Sequence, residues 1–541
     1  MLTNQGSIAA TTAAFEWAVP THCNIGVQIT DRPAATHGAR TAIVDVGADG
    51  RVREISFAAL AERSNQWAHV LAGLTEAGDR VAVLLPQSIE VAIAHAAILK
   101  GGRISLPLFT LFGPDALLHR LRDAGARVLL TNAAGAAVVA GIRGDLPELQ
   151  HVICVEEPEF TGRCAHQPRD FTGAETRADD PAILIYTSGT TGHPKGALHG
   201  HRVLLGHLPG VEMSHDFFPQ EGDRIWTPAD WAWIGGLLDV LMPALYHGVT
   251  VVACRFRKFT AEAAFELMRG QGVRNAFLPP TALKLMRLAD VPEHALALRS
   301  VASGGEPLGK GLIEWGQRAL GTTINEFYGQ TECNMIVSSC AALAPPEPGV
   351  MGFAVPGHGV EVLADGGGVA PVGEMGEIAV ATPDPVMFLR YWNNPEATEA
   401  KFREVDGRRF LLTGDRGRRV ESGRIAFTGR EDDVISSAGY RIGPGEIEDC
   451  LLTHPAVHLA GVVGMPDALR GSVVAAYVQL GEGRDPSAGL AEEIAEHVRA
   501  RLAAYEAPRV VRFIEAMPMT TTGKIIRADL RRMAQAEAEQ G

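Results

Sequence analysis

Thr187-Ser188-Gly189-Thr190-Thr191-Gly192-His193-Pro194-Lys195-Gly196 gathers four hydroxyl side chains and three glycines around one lysine, directly after the apolar run Ala182–Ile185. Such a loop offers bare backbone N–H groups, hydroxyl donors and one cation, a set that suits a polyphosphate. It is not the common P-loop, which needs Gly-Lys-Ser/Thr in succession. Here Pro194 precedes the lysine and Gly196 follows it. A loop of this composition is by itself more often a flexible turn, so its meaning rests on partners elsewhere in the chain.

Those partners follow in order. They are Glu326-Phe327-Tyr328-Gly329-Gln330-Thr331-Glu332, then Leu412-Thr413-Gly414-Asp415, then Gly429–Glu446, and Pro518–Arg527. Together with Tyr186–Gly196 they resemble the signature segments of the adenylate-forming superfamily. That superfamily comprises acyl-CoA synthetases, peptide-synthetase adenylation domains and luciferases. The resemblance spans roughly Asp31 to Arg532 and is greatest to the AMP-forming medium-chain acyl-CoA synthetases.

The resemblance implies a two-step reaction. A carboxylate is made reactive by transfer of AMP from ATP, and the acyl group then passes to the thiol of CoA. Thr187, Ser188, Gly189, Thr190, Thr191, Gly192 and Lys195 would grip the β and γ phosphates. Gly305-Glu306-Pro307 would line the adenine, with Glu326, Phe327, Tyr328, Gly329 and Gln330 completing the ATP site. Thr331 would contact the α-phosphate and Glu332 would hold Mg²⁺, an ion that prefers oxygen ligands shared with phosphates. Asp415 would accept the ribose diol and Arg430 would support the nucleotide. Lys524, in Thr522-Gly523-Lys524-Ile525, would stabilise charge that grows during adenylation. After a pivot at Asp432, Ala438-Gly439-Tyr440-Arg441 would enter the site. Gly439 would leave room for the pantetheine arm and Arg441 would meet a CoA phosphate.

In acetate-specific relatives a tryptophan stands at the position of Gly329 and a valine at that of Gly304. Glycine at both is expected to remove the pocket floor and widen its wall, admitting a medium-chain, branched or aromatic acid. Trp231 and Trp233 fall in the segment that lines this pocket, and Trp233 is the one chosen. Two other readings compete. A standalone adenylation enzyme would load a carrier protein, although no carrier module follows Lys524 and the Trp231–Gly236 region lacks the aspartate-led motif of amino-acid activators. A non-catalytic nucleotide-binding regulator would have no use for Lys524, Glu332, Asp415 and Arg430 together. Members of the superfamily occur as monomers and as homodimers, and both fit.

The elements that must position these residues are those of an α/β protein. Short aliphatic runs (Val81–Leu85, Arg127–Thr131, His151–Val155, Ala182–Tyr186, Val249–Ala253) alternate with helical patterns such as Ile89–Leu99 and Ala282–Leu288. That rhythm predicts parallel sheets covered by helices, with ligands at the carboxyl ends of strands. Glycine-punctuated runs (Val360–Leu363, Gly376–Val380, Arg424–Phe427) predict a small β-barrel over about 349–428. An α+β segment follows, with helices near Gly445–Thr453 and Ala491–Ala504 and strands Val457–Val463, Val473–Leu480 and Arg509–Phe513. The expected organisation is therefore a large domain over 1–431, made of two parallel-sheet subdomains and the barrel, and a small mobile domain over 432–541.

At 541 residues the chain exceeds one hydrophobic core. A net charge of −14 argues against a nucleic-acid partner. The seven cysteines contain no Cys-x-x-Cys pair, which fits reduced thiols, and Cys333 reads as a packing residue. His199 and His201 have no carboxylate or cysteine at metal spacing and read as polar residues starting a helix. The window Val81–Leu99, broken by Pro86, Gln87, Ser88, Glu90 and His95, reads as strand, turn and buried helix rather than a membrane span. With no basic, apolar leader at Met1–Ala14, a cytoplasmic location is expected.

Overall fold

Arg80–Leu84, Ile104–Pro107, Val128–Thr131 and Pro181–Thr187 are runs of mostly apolar residues, buried on both faces as central parallel strands must be, and His151–Cys154 is a partly exposed strand at the sheet edge. In the computed structural model, which describes residues 2–187, 194–256, 258–289, 296–430, 433–437, 440–467, 471–502, 506–520 and 523–540, these five form the parallel part of a seven-stranded sheet. Lys195–Gly200 and Arg390–Tyr391 extend it antiparallel at one edge. A second sheet of nine strands has a parallel centre running from Thr41–Val46 through Thr250–Cys254, Arg224–Trp226, Asn275–Phe277 and Ser300–Gly304 to Ile324–Gln330. Cys333–Ser338 then turns back antiparallel.

The chain divides into two compact units. Both of these sheets lie in the first, comprising Met1–Glu347, Met351–Gly359 and Ala381–Phe402. One core joins them: Ile43 and Val251 from one sheet, Val81 and Ile183 from the other, with residues of Ile89–Lys100 and Val203–Ser214. Every residue of those two helices except Glu90 is buried. The window 81–99 is thus strand, turn and buried helix, the helix N-capped by Ser88 accepting from the Val91 N–H. No described helix is long and apolar enough to cross a membrane.

The second unit comprises Pro348–Val350, Val360–Val380 and Arg403–Gly541. The region expected to form the barrel is a five-stranded sheet in the order Val360–Ala364, Gly376–Ala381, Arg408–Arg419, Phe402–Val405, with Ile425–Arg430 paired to Arg408–Arg419. A further five-stranded sheet follows, built on the long hairpin Val457–Asp467 and Gly471–Leu480. Pro444–Leu451 and Ala488–Arg499 supply Ile447, Leu451, Ile494 and Val498 to its core.

His199 and His201 correct a sequence expectation. His199 lies within Lys195–Gly200, opposite Ile183, and His201 follows it directly; both are fully buried rather than opening a helix. The His201 Nδ1 accepts the Ile25 N–H at 3.1 Å. Pairing with a central strand took these rings out of water, which their polar type had concealed. No disulfide joins any of the seven cysteines; six of them are buried and Cys254 is partly so.

Candidate active site

Strand ends assemble the residues singled out in the first unit. Thr187 closes Pro181–Thr187 and Lys195 opens the antiparallel neighbour, so the two stand opposite each other. Ser188, Gly189, Thr190, Thr191, Gly192 and His193 lie outside the described residues. In the nine-stranded sheet, Ser300–Gly304 and Ile324–Gln330 run parallel with Gly304 facing Phe327. The chain leaves that strand through Gly305, whose φ of +100° favours glycine, into Glu306 and Pro307. The Leu308 N–H then donates to Glu326 Oε1 at 3.2 Å. Glu326, placed among the nucleotide contacts by sequence, therefore braces the end of loop 305–307 from the next strand.

Thr331 and Glu332 form the two-residue turn between Ile324–Gln330 and Cys333–Ser338, where Gln330 pairs with Cys333. Glu332 is only 6% exposed. Its Oε1 accepts the Tyr391 hydroxyl, and its backbone carbonyl accepts the Phe388 N–H at 2.8 Å. Gln330 Oε1 accepts from Lys401 Nζ at 3.2 Å. Neither Tyr391 nor Lys401 was found by sequence reasoning. Each meets its partner over a separation of about sixty residues or more, and no local pattern encodes that.

Three aromatic rings pack in series, beginning from Phe327 on the strand Ile324–Gln330. Phe327 packs on Phe277 with ring centroids 5.1 Å apart, and Phe277 on Trp233 at 5.7 Å. Trp231 is 1% exposed and belongs to the core, whereas Trp233 is half-buried at its margin. The glycines require a correction. A Cβ on Gly304 would lie 2.5 Å from the Phe327 ring, and one on Gly329 2.4 Å from the Met335 backbone nitrogen. Neither glycine faces open space; each is demanded by a close approach of the protein to itself. Gly329→Trp would therefore clash with the backbone at Met335 and is not expected simply to retune chain length. Even Gly329→Ala should lower the urea midpoint by an amount equivalent to about 1–3 kcal/mol, and an unmoved midpoint would return Gly329 to the pocket wall.

Asp239 was also missed. It is buried on a short π-helical segment, Leu237–Leu241, a distortion that often marks functional sites. Its two oxygens accept from the Asn334 side-chain nitrogen at 2.7 and 2.8 Å. His207 Nε2 stands 3.8 Å away. Burial pushes the Asp239 carboxyl well above the usual range and holds the His207 imidazole down at about 4. Burial thus disfavours charge on both the acid and the imidazole.

Within the second unit, Asp415 and Arg430 face each other across paired strands, with Arg430 Nε 3.8 Å from Asp415 Oδ1. Gly414 makes the bend with φ +75°, and its N–H donates to Glu377 at 3.1 Å. Lys524 closes a tight turn: its carbonyl accepts the Thr520 N–H at 2.7 Å and its N–H donates to Thr520 Oγ1 at 3.0 Å. Gly523 supplies the left-handed residue at φ +81°. Arg527, three residues on, pairs with Glu448 and lies 3.7 Å from Asp433, which Arg531 also holds. Asp432, Ala438 and Gly439 lie outside the described residues. Tyr440 and Arg441 are placed by their backbone, which pairs with Ser437 and Ser436.

Comparison with known proteins shows the family. The pattern of the family described as AMP-binding enzyme matches residues 30–392, about two thirds of the chain. The chain belongs to the AMP-binding enzyme family. The pattern of the AMP-binding enzyme C-terminal domain matches residues 446–524. An uncharacterized acyl–CoA ligase of Bacillus subtilis (strain 168), YtcI, is 33% identical over 507 residues, covering 92% of this chain and 93% of its own. The crystal structure of the anthranilate CoA ligase AuaEII with anthranoyl-AMP superposes with a TM-score of 0.87 at 29% identity, covering 96% of this chain and 99% of that one. A benzoate CoA ligase from Burkholderia xenovorans LB400 superposes with a TM-score of 0.81 at 27% identity, over 94% of this chain and 100% of that one.

Proposed function

We propose that this AMP-binding enzyme is an AMP-forming acyl-CoA synthetase, an acid–thiol ligase. A carboxylate oxygen attacks the α-phosphorus of ATP and pyrophosphate leaves. The CoA sulfur then attacks the acyl carbon and AMP leaves. The observation that carries this reading is the meeting of Lys195 and Glu332 about one tyrosine, at the carboxyl ends of sheet strands, in a chain whose full-length relatives are acyl-CoA ligases. A cation and a carboxylate so placed suit a polyphosphate and its metal ion.

Mg²⁺ fits the residues present. Among the described residues no group of three or more histidines, cysteines or carboxylates could cage a metal, and Mg²⁺ needs none. It is held by one or two carboxylates, substrate phosphates and water. Glu332 would hold it, and the ion would neutralise charge on the phosphates when bound. Thr331 is assigned to the α-phosphate, Asp415 to the ribose, Lys524 to the first half-reaction and Gly439–Arg441 to CoA.

The acid is larger than acetate: medium-chain, branched or aromatic. Support comes from the wall of Trp233, Phe277 and Phe327, whose flat faces suit apolar and aryl groups. The test is CoA-dependent AMP release over acetate to dodecanoate, isobutyrate, 2-methylbutyrate, benzoate, anthranilate and phenylacetate. A maximum at an acid larger than propionate is the expected outcome. Pyrophosphate release that ignores CoA would point instead to loading of a carrier protein.

A further inference from the structure

The short strand Arg390–Tyr391 runs along Lys195–Gly200, with Tyr391 opposite Ala197. Three backbone N–H groups fix this segment. Leu389 N–H donates to the Leu198 carbonyl at 2.7 Å, Trp392 N–H to the Gly196 carbonyl at 2.7 Å, and Tyr391 N–H to Thr398 Oγ1 at 2.9 Å. Just before it, the Phe388 N–H holds the Glu332 carbonyl. One strand of two residues therefore ties the start of the phosphate-loop strand to the turn that carries Glu332.

The Tyr391 side chain makes the same connection with charged groups. It is 4% exposed. Its hydroxyl donates to Glu332 Oε1, a charge-assisted bond. Its ring centroid lies 5.4 Å from Lys195 Nζ, within reach of a cation–π contact. Phe388 packs against that ring edge-on, with centroids 5.0 Å apart. Glu332 Oε2 has no hydrogen-bond partner among the described residues.

We infer that Tyr391 is a positioning residue for metal–nucleotide binding: its hydroxyl fixes the Glu332 carboxylate with one oxygen turned to the ion, while its ring seats the Lys195 ammonium. The inference rests on the ligase reading and concerns residues that reading already uses. A buried phenol serves both ends because its oxygen and its ring face act on different partners. Outer-shell donors to metal ligands typically account for 10–100-fold in metal affinity.

The test compares the ATP dissociation constant in EDTA with that in saturating Mg²⁺, by calorimetry, for the whole chain. Tyr391→Phe keeps the ring and removes the hydroxyl. It is expected to shrink the Mg²⁺-dependent gain in ATP affinity by about 10-fold or more while leaving the EDTA value unchanged. Tyr391→Leu removes the ring as well and is expected to weaken ATP binding in EDTA too. A Tyr391→Phe protein with the wild-type Mg²⁺ gain overturns the inference and leaves the ligase reading standing. Wild-type ATP binding that ignores Mg²⁺ overturns both the inference and the assignment of Glu332.

Discussion

Replacing Lys524 with alanine is expected to slow acid-dependent exchange of pyrophosphate into ATP by about 10²–10³-fold, the usual cost of losing a donor aimed at charge that develops in a transition state. Thioester formation from pre-made acyl-adenylate should stay within a few-fold of wild type. The division follows from chemistry: adenylation builds charge on a pentavalent phosphorus, whereas thiolysis of the adenylate does not need that cation. The turn itself should survive the substitution, because the bonds that close it come from the Lys524 backbone and Thr520. Arginine is not expected to rescue, since a planar guanidinium does not replace a compact ammonium point for point. Equal loss of both half-reactions would contradict the assignment.

Mild acid is expected to unfold the protein well before its carboxylates are neutralised. Burial holds His95, His199 and His215 down at about 3, and His201 and His207 down at about 4. In the unfolded chain each would titrate near 6.5. Their neutral partners in the fold are Ser105 for His95, Ser300 for His215 and the Val203 carbonyl for His207. Arg299 beside His215 and Arg202 beside His199 add to the resistance to protonation. Below pH 6.5 the unfolded state binds more protons through these five rings, so stability falls with pH from there to about 4.

Two carboxyls work the other way. Asp230, raised to about 6 by burial, and Asp239, raised well above its usual value, keep protons in the fold that the unfolded chain has released. The five rings outnumber the two carboxyls, so near pH 5.5 unfolding still takes up protons and stability falls as the pH falls. Domains are typically stable by only about 5–15 kcal/mol. The melting temperature, measured at constant ionic strength, should fall steeply below pH 6. A level profile between pH 5 and 7 would show that these rings are hydrated in solution.

The sheets were legible because their strands are short aliphatic runs set off by glycine and proline. Arg80–Leu84, Val128–Thr131 and His151–Cys154 fall within a residue of the expected bounds. The helix expected at Ala282–Leu288 begins earlier, at Pro280, because proline is tolerated in a first helical turn. Site residues that sit in contiguous segments were legible for the same local reason. What sequence concealed was the direction of side chains across distant pairings. Glu326 turned to a neighbouring loop, Tyr391 reached a glutamate fifty-nine positions away, and Asp239 met Asn334 across ninety-five. The glycines misled differently. A missing side chain reads as space in one dimension, yet at Gly304 and Gly329 that space is filled by Phe327 and by the backbone at Met335.

The burial of the cysteines bears on how such an enzyme coexists with its own co-substrate. Cys23 and Cys254 are pushed up to about 11 and Cys164 and Cys340 to about 12, chiefly because a thiolate there would lose its water. At neutral pH roughly one in ten thousand of the first pair is ionised, and fewer of the second. Exchange with a disulfide proceeds through the thiolate, so oxidised CoA finds little on these four residues to attack it. An enzyme meant to admit a thiol at high local concentration thereby resists mixed disulfides at these four positions without giving up sulfur as a packing atom.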